Sequence, residues 1–157
     1  MKTIKPIVAV MSCWLISGCN GFENQLGDAP YGFSVLEKGS YSAISSERFG
    51  VFRDQDSFKA MWIEHHAAVS AEMPALDFQK YMVLGAFAGT KPSGGYNLEI
   101  TKIEENQDYL EVMLLLTQPD YNCFVSSVLT QPYVIVATQV SDKLVKFKVS
   151  TQINKCD

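Results

Sequence analysis

Seven segments of the chain after residue 30 alternate, strongly or weakly, between apolar and polar positions with a period of two, which predicts β-strands. Segments of this kind are found at residues 33–36, 48–53, 96–103, 110–116, 125–129, 133–140 and 144–149. In the last of them Val145, Phe147 and Val149 should face inward, while the lysines between them stay in water. Residues 81–88 are apolar on both alternating faces, so we expect a central strand that is covered above and below.

One segment has helical periodicity instead. Apolar or aromatic residues recur there at i, i+3, i+4 and i+7, namely at Phe58, Met61, Trp62 and His65. Asp54 or Asp56 can cap this helix, which we expect to run to about residue 68. One helix together with about seven short strands predicts an α+β domain built on a largely antiparallel sheet.

The first residues have the pattern of an export signal. Lys2 and Lys5 supply positive charge before the mostly apolar stretch 7–16, which is too short to span a bilayer as a helix. Small residues then precede Cys19, and this arrangement resembles the lipobox of bacterial lipoproteins, in which the cysteine is lipidated and cleavage occurs before it. We therefore expect a signal peptide at residues 1–18 and acyl chains, palmitate among them, on the cysteine. An ordinary secretory signal with an incidental cysteine is the alternative.

The rest of the chain divides into a tether and a domain. Residues 19–30 are rich in glycine and polar side chains, as flexible linkers are, and residues 31–157 remain for one folded domain. Asn20 follows the lipidated cysteine, at a position where aspartate commonly retains lipoproteins at the inner membrane. By resemblance to that sorting rule, we expect the protein to be held at the outer membrane of the cell envelope by its lipid alone.

Cysteine usage agrees with export. Cys13 would leave with the signal peptide, and Cys19 would carry the lipid. Cys123 and Cys156 remain as an even pair in an oxidising compartment, so we predict that they form a disulfide. Two free buried thiols are the alternative.

Composition and motifs exclude several kinds of function. The 157 residues carry a formal net charge of −4, without the clustered Lys and Arg that nucleic-acid binding requires. The two histidines, His65 and His66, are adjacent, and adjacent helical residues point about 100° apart. The HExxH spacing of zinc peptidases is also missing. We therefore expect no metal, no cofactor and no enzymatic activity, with His65 as a half-buried packing residue.

The most unusual segment is Gly89–Tyr96, with the sequence GTKPSGGY. Its glycine spacing begins like a P-loop, but Gly95 and Tyr96 stand where a lysine and a hydroxyl residue would hold phosphate and Mg²⁺, which excludes nucleotide binding. The segment could be a tight connection that needs glycine, or a docking loop with accessible backbone and an aromatic anchor. The binding residues on the second interpretation are Pro92, Ser93, Gly94, Gly95 and Tyr96.

Several separate features of the sequence resemble the PrcB C-terminal domain family. They are Trp62, Asp77-Phe78, Gly89-Thr90, Pro92–Tyr96 with Glu99-Ile100, Pro119, Cys123 and Thr130–Tyr133. The resemblance covers roughly residues 48–139, and Ser93 stands where threonine is common. The family takes its name from a lipoprotein that associates with and stabilises a subtilisin-type surface protease, and most members have no assigned activity. The resemblance therefore implies a non-enzymatic accessory or binding module, with such a protease as the example of a protein partner.

Three functional hypotheses follow. The first is an outer-membrane-anchored accessory protein that docks its glycine-rich segment onto a protein partner. The second is a protease inhibitor that inserts Pro92–Tyr96 into an active-site cleft. The third is an envelope enzyme whose site is assembled from residues distant in sequence, which would need a polar cleft around His65, Glu99 or Asp120.

Overall fold

The computed structural model describes residues 31–67 and 71–156, and within these ranges it contains seven strands and one helix. The elements are β1 (Phe33–Gly39), β2 (Glu47–Phe52), α1 (Gln55–His65), β3 (Tyr81–Ala88), β4 (Asn97–Glu105), β5 (Tyr109–Pro119), β6 (Tyr133–Gln139) and β7 (Leu144–Asn154). The predicted α+β class is confirmed, and the fold is mostly β. The expected signal peptide, the tether and Cys19 lie outside the described residues. Within the described part, no helix is long and apolar enough to cross a membrane.

The strands form two sheets. The first sheet has the order β1-β6-β3-β2, and each neighbouring pair is antiparallel. The second has the order β4-β5-β7, in which β4 and β5 are antiparallel but β7 runs parallel to β5. Although β6 and β7 are consecutive in the chain, they belong to different sheets, so the short connection between them crosses from one layer to the other.

The first sheet is the middle one of three layers, between the helix and the second sheet. Successive side chains of a strand point to opposite faces, so β3 and β6 contribute to two cores. The core between the sheets includes Met82, Leu84, Val134, Val136, Leu98, Leu110, Val112 and Leu114. The core under the helix includes Val83, Phe87, Ile135, Phe58, Met61 and Trp62. As predicted from its unbroken apolar run, β3 is covered on both faces.

The helix begins and ends where its terminal backbone groups find partners. Asp54 is the N-cap, and its carboxylate accepts a hydrogen bond of 2.8 Å from the N–H of Ser57. The predicted stripe is buried, at Phe58, Met61, Trp62 and His65. The helix ends at His65 rather than near residue 68, because Ala67 takes the left-handed conformation with φ of 52°.

The C-terminal part differs from the sequence prediction in two places. Residues 125–129 form no strand, and the next residue, Thr130, makes only an isolated bridge with Lys91. Val149 lies in register with the buried Leu114 but is 41% exposed, because β7 is the edge strand of its sheet.

Candidate functional site

The glycine-rich segment connects the central strand β3 with β4, and we call residues 89–96 the glycine loop. Gly89 has a φ of +71°, and an added Cβ would lie 2.8 Å from the backbone nitrogen of Glu47. Gly95 has a φ of +84°, and its added Cβ would lie 3.0 Å from a methyl carbon of Val125. Both positions need glycine for conformation and for space, which supports the interpretation of the loop as a tight connection.

A second loop, the Cys123 loop of residues 120–132, holds the glycine loop in place. The backbones of Lys91 and Thr130 exchange two hydrogen bonds, of 2.7 and 3.1 Å. The buried hydroxyl group of Thr130 also donates to the carbonyl oxygen of Ser93 at 2.8 Å. These bonds engage backbone groups that a strand-adding or cleft-inserting loop would have to leave free.

The five residues predicted to bind a partner differ in exposure. Pro92 and Gly95 are exposed, whereas Ser93, Gly94 and Tyr96 are half-buried. The N–H of Gly94 donates to the carbonyl of Ser126 at 2.9 Å, so its backbone is also engaged. Tyr96 belongs to neither of the two cores among the described residues. Its ring and Pro92 are therefore the parts of the loop that can take part in docking, which stays a prediction.

The Cys123 loop exposes large aromatic side chains that the sequence analysis did not single out. Tyr121 is 93% and Phe124 is 106% exposed. Cys123 and Cys156 are joined by a disulfide, with Cα atoms 5.3 Å apart, which ties this loop to the chain just after β7. The sequence did contain a signal for this aromatic pair. Tyr121 and Phe124 lie between the predicted strands 110–116 and 125–129, so no strand pattern assigns either ring to a buried face.

A second group of polar side chains lies at the C-terminal end of α1, and we call Glu37, His65 and His66 the histidine cluster. Each residue offers one ligand atom within 4.8 Å of the other two. Nε2 of His65 is 3.6 Å from Oε1 of Glu37, and Nε2 of His66 is 3.2 Å from Oε2. The hydroxyl of Tyr133 donates to Oε1 of Glu37 at 2.7 Å, and Oγ of Ser42 is 2.8 Å from Nδ1 of His65.

Two local irregularities bring the cluster together. A β-bulge in β1 shifts the register between Val35 and Glu37, so that Glu37 pairs with Ile135, whose side chain faces the helix. His66 is the C-cap, with φ of −89° and ψ of 8°, and thus lies outside the regular helix. The expectation that adjacent helical histidines diverge too far to approach one centre therefore does not hold here.

Burial shifts the pKa of one member of the histidine cluster, His65, and of the neighbouring Tyr133. His65 is only 2% exposed, and burial lowers the pKa of its imidazole, against the opposing effect of the Glu37 carboxylate. Burial also raises the pKa of Tyr133, as does the hydrogen bond to Glu37, so the phenol keeps its proton and remains a donor. His65 is thus more deeply buried than predicted, and each of its two ring nitrogens lies near a polar group, Ser42 at Nδ1 and Glu37 at Nε2.

Glu99 and Asp120, around which the enzyme hypothesis requires a polar cleft, belong to other parts of the molecule. Glu99 lies on β4 in the second sheet and forms an ion pair of 3.0 Å with Lys38. Asp120 accepts a hydrogen bond of 3.1 Å from the N–H of Asn122 at the start of the Cys123 loop. The structure therefore does not bring these two carboxylates together with His65.

Residues 82–139 match the family model described as PrcB C-terminal, which confirms the family resemblance over this segment. The matched segment runs from β3 to β6 and contains both the glycine loop and the Cys123 loop. The histidine cluster lies outside it. No curated protein and no solved structure matches the chain.

Proposed function

We propose that this chain, whose residues 82–139 belong to the PrcB C-terminal family, is a lipid-anchored accessory protein of the bacterial envelope that binds another protein and catalyses no reaction. One observation carries the proposal: Tyr121 and Phe124 stand almost fully in water on the Cys123 loop. Large aromatic rings bring much apolar area to an interface, and they are enriched among the residues that dominate protein binding.

The exposed pair is held ready for docking by covalent and backbone constraints. At one end of the loop, the N–H of Asp120 donates to the carbonyl of Asn154 at 2.9 Å, and the disulfide of Cys123 lies close by. At the other end, the paired backbones of Thr130 and Lys91 join it to the glycine loop. A loop that is ordered before binding loses less conformational entropy in the complex, so its contacts contribute more to affinity.

The proposed partner is a subtilisin-type protease, because the family resemblance offers that association as its example. The two exposed rings would enter an apolar groove on the protease, and Pro92 and the ring of Tyr96 on the adjoining glycine loop would add contacts. Stabilisation is a better match than inhibition to this geometry, because Ser93 and Gly94 already use backbone groups inside the molecule. Anchoring at the outer membrane through Cys19 rests on the lipobox resemblance.

The test uses the purified chain and a subtilisin-type protease from the same envelope. We expect the chain to prolong the half-life of protease activity without lowering its initial rate. Replacing both rings, by Tyr121→Ser with Phe124→Ser, should weaken the association at least about tenfold, because buried aromatic anchors each contribute more than about 1 kcal/mol. Binding is measured by surface plasmon resonance, and the half-life by a time course of proteolysis.

Leu144→Ser provides the matched control. Leu144 is 64% exposed but lies at the start of β7, at the opposite end of that strand from Asn154. It should leave both affinity and half-life unchanged. A lower initial rate would favour the inhibitor hypothesis, and unchanged binding by the ring variant would contradict the proposed surface.

A further inference from the structure

We propose that Glu37, His65 and His66 form a binding site for a divalent transition-metal ion, with Zn²⁺ as the occupant that their chemistry fits best. Two imidazoles and one carboxylate are a known ligand set for zinc, with the fourth position open to water or another ligand. This inference is independent of the docking surface. Its three residues lie on β1 and at the end of α1, outside both the glycine loop and the Cys123 loop.

The distances agree with a shared metal ion. Four ligands at about 2.0–2.1 Å from a tetrahedral zinc are about 3.3–3.4 Å from one another. In the histidine cluster, Nε2 of His66 is 3.2 Å from Oε2 of Glu37, and Nε2 of His65 is 3.6 Å from Oε1 of the same carboxylate. The three ligand atoms all lie within 4.8 Å of one another. Zinc binding would draw these atoms together from separations of at most 4.8 Å, which rotation of the side chains can achieve.

The three ligand atoms of the histidine cluster face one another and are not hydrogen-bonded to groups outside the cluster among the described residues. Oε2 of Glu37 and the Nε2 atoms of His65 and His66 are buried and have no hydrogen-bond partner among the described residues. The side chain of His65 is only 1% exposed, so its Nε2 cannot turn to bulk water instead. Buried polar atoms normally have partners, and one cation at the centre would satisfy all three atoms together.

Outer contacts orient two of the ligands. Oγ of Ser42 lies 2.8 Å from Nδ1 of His65 and can accept a hydrogen bond from its N–H, and in that tautomer Nε2 has a lone pair for the metal. The phenol of Tyr133 donates to Oε1 of Glu37 and leaves Oε2 free. Such contacts behind the ligands are characteristic of protein metal sites. The ion can enter past Glu37 and His66, whose side chains are 27% and 20% exposed.

The experiment measures metal binding by the purified full chain, without a histidine tag. Its disulfide is kept intact and other thiols are alkylated first, because free Cys13 or Cys19 would bind zinc themselves. Zn²⁺ is titrated by isothermal calorimetry, and Co²⁺ is used as a probe whose visible absorption reports tetrahedral coordination. We expect one ion per chain and a higher thermal midpoint with Zn²⁺ than without it.

Three variants separate a metal site from a structural cluster. Glu37→Gln and His66→Ala should each weaken Zn²⁺ binding by at least about 100-fold, since losing only a contact behind a ligand costs about 10–100-fold. Glu64→Gln is the matched control, because Glu64 is adjacent to the histidines but pairs with Arg48. It should bind Zn²⁺ like the natural chain.

Circular dichroism identifies which variants fold, and either ligand variant alone is sufficient for the test. Failure of the natural chain to bind Zn²⁺ with one-to-one stoichiometry would overturn the proposal. Equal binding by the natural chain and a folded ligand variant would also overturn it. Tyr133→Phe gives an independent readout, because it removes a contact to Glu37 without removing a ligand, and it should lower the affinity about tenfold.

Discussion

Glycine at the start of the glycine loop serves two physical needs, a left-handed backbone and space, that a single Cβ would violate. At Gly89 the backbone is left-handed, and the nearest obstacle to a side chain is the backbone of Glu47, which is held in β2. At Gly94 the φ angle is ordinary, and the nearest obstacle is the hydroxyl of Ser126, on an exposed side chain that can rotate. The two glycines should therefore respond differently to the same substitution.

We expect Gly89→Ala to lower the free energy of unfolding by about 1–3 kcal/mol, because a left-handed alanine is strained and its methyl group meets fixed backbone. Gly94→Ala, as the matched control, should cost less than about 1 kcal/mol, within the range of ordinary surface changes. Urea unfolding followed by tryptophan fluorescence measures both. Equal losses in the two variants would contradict this account of the loop.

Single elements are shaped by their ends and irregularities as much as by their periodicity. The bulge in β1 turns Glu37 toward the helix side, and the next residue, Lys38, toward β4, where it pairs with Glu99. The helix depends on a cap at its start, where the carboxylate of Asp54 accepts hydrogen bonds from both the backbone and the side chain of Ser57. These bonds, the backbone one first, hold the pKa of Asp54 below its ordinary value of 3.8.

The cap predicts a pH dependence of stability. Because its folded-state pKa is lowered, the Asp54 carboxylate stabilises the fold above its unfolded pKa, and this contribution is lost as the pH falls through the folded value. Asp54→Ala should therefore lower the thermal midpoint at pH 7, and its difference from the natural chain should shrink between about pH 5 and pH 2. Asp56→Ala removes a neighbouring charge but keeps the cap, so a comparable effect there would argue against capping.

At the scale of the whole molecule, the disulfide connects the Cys123 loop, which belongs to neither sheet, with the end of the chain after β7. Cys123 lies in the loop that carries the exposed rings, and Cys156 follows β7, the edge strand of the second sheet. The crosslink spans a sequence separation of 33 residues. It therefore limits the unfolded chain and also fixes the proposed docking surface relative to the sheet.

Replacing both cysteines, by Cys123→Ser with Cys156→Ser, should lower the free energy of unfolding by about 3–4 kcal/mol on the chain-entropy account. Urea unfolding with and without reductant measures the effect. Reductant should bring the natural chain down to the stability of the variant and leave the variant unchanged. A natural chain that is insensitive to reductant under unfolding conditions would contradict the prediction.

The sequence by itself determined the positions of the strands and the helix and the family motifs, because these depend on residue identity and on neighbours along the chain. The apolar pattern located six of the seven strands in the described part of the chain closely enough to assign them, and the unbroken apolar run identified β3 as a central strand. The stripe from Phe58 to His65 located the helix, and the motifs around the glycine loop pointed to the family whose model matches residues 82–139. β1 was the weaker pattern, and its prediction stopped at residue 36, because the bulge interrupts alternation there.

Only the tertiary structure decided which distant residues meet. Two features depend on how the layers pack and cannot be read from the periodicity of a single segment. They are the parallel pairing of β7 with β5 and the exposure of Tyr121 and Phe124. The histidine cluster depends on a one-residue bulge in β1, since an extra residue in a strand moves every following side chain to the other face. Without that shift Glu37 would face the second sheet, and the histidines would have no carboxylate beside them.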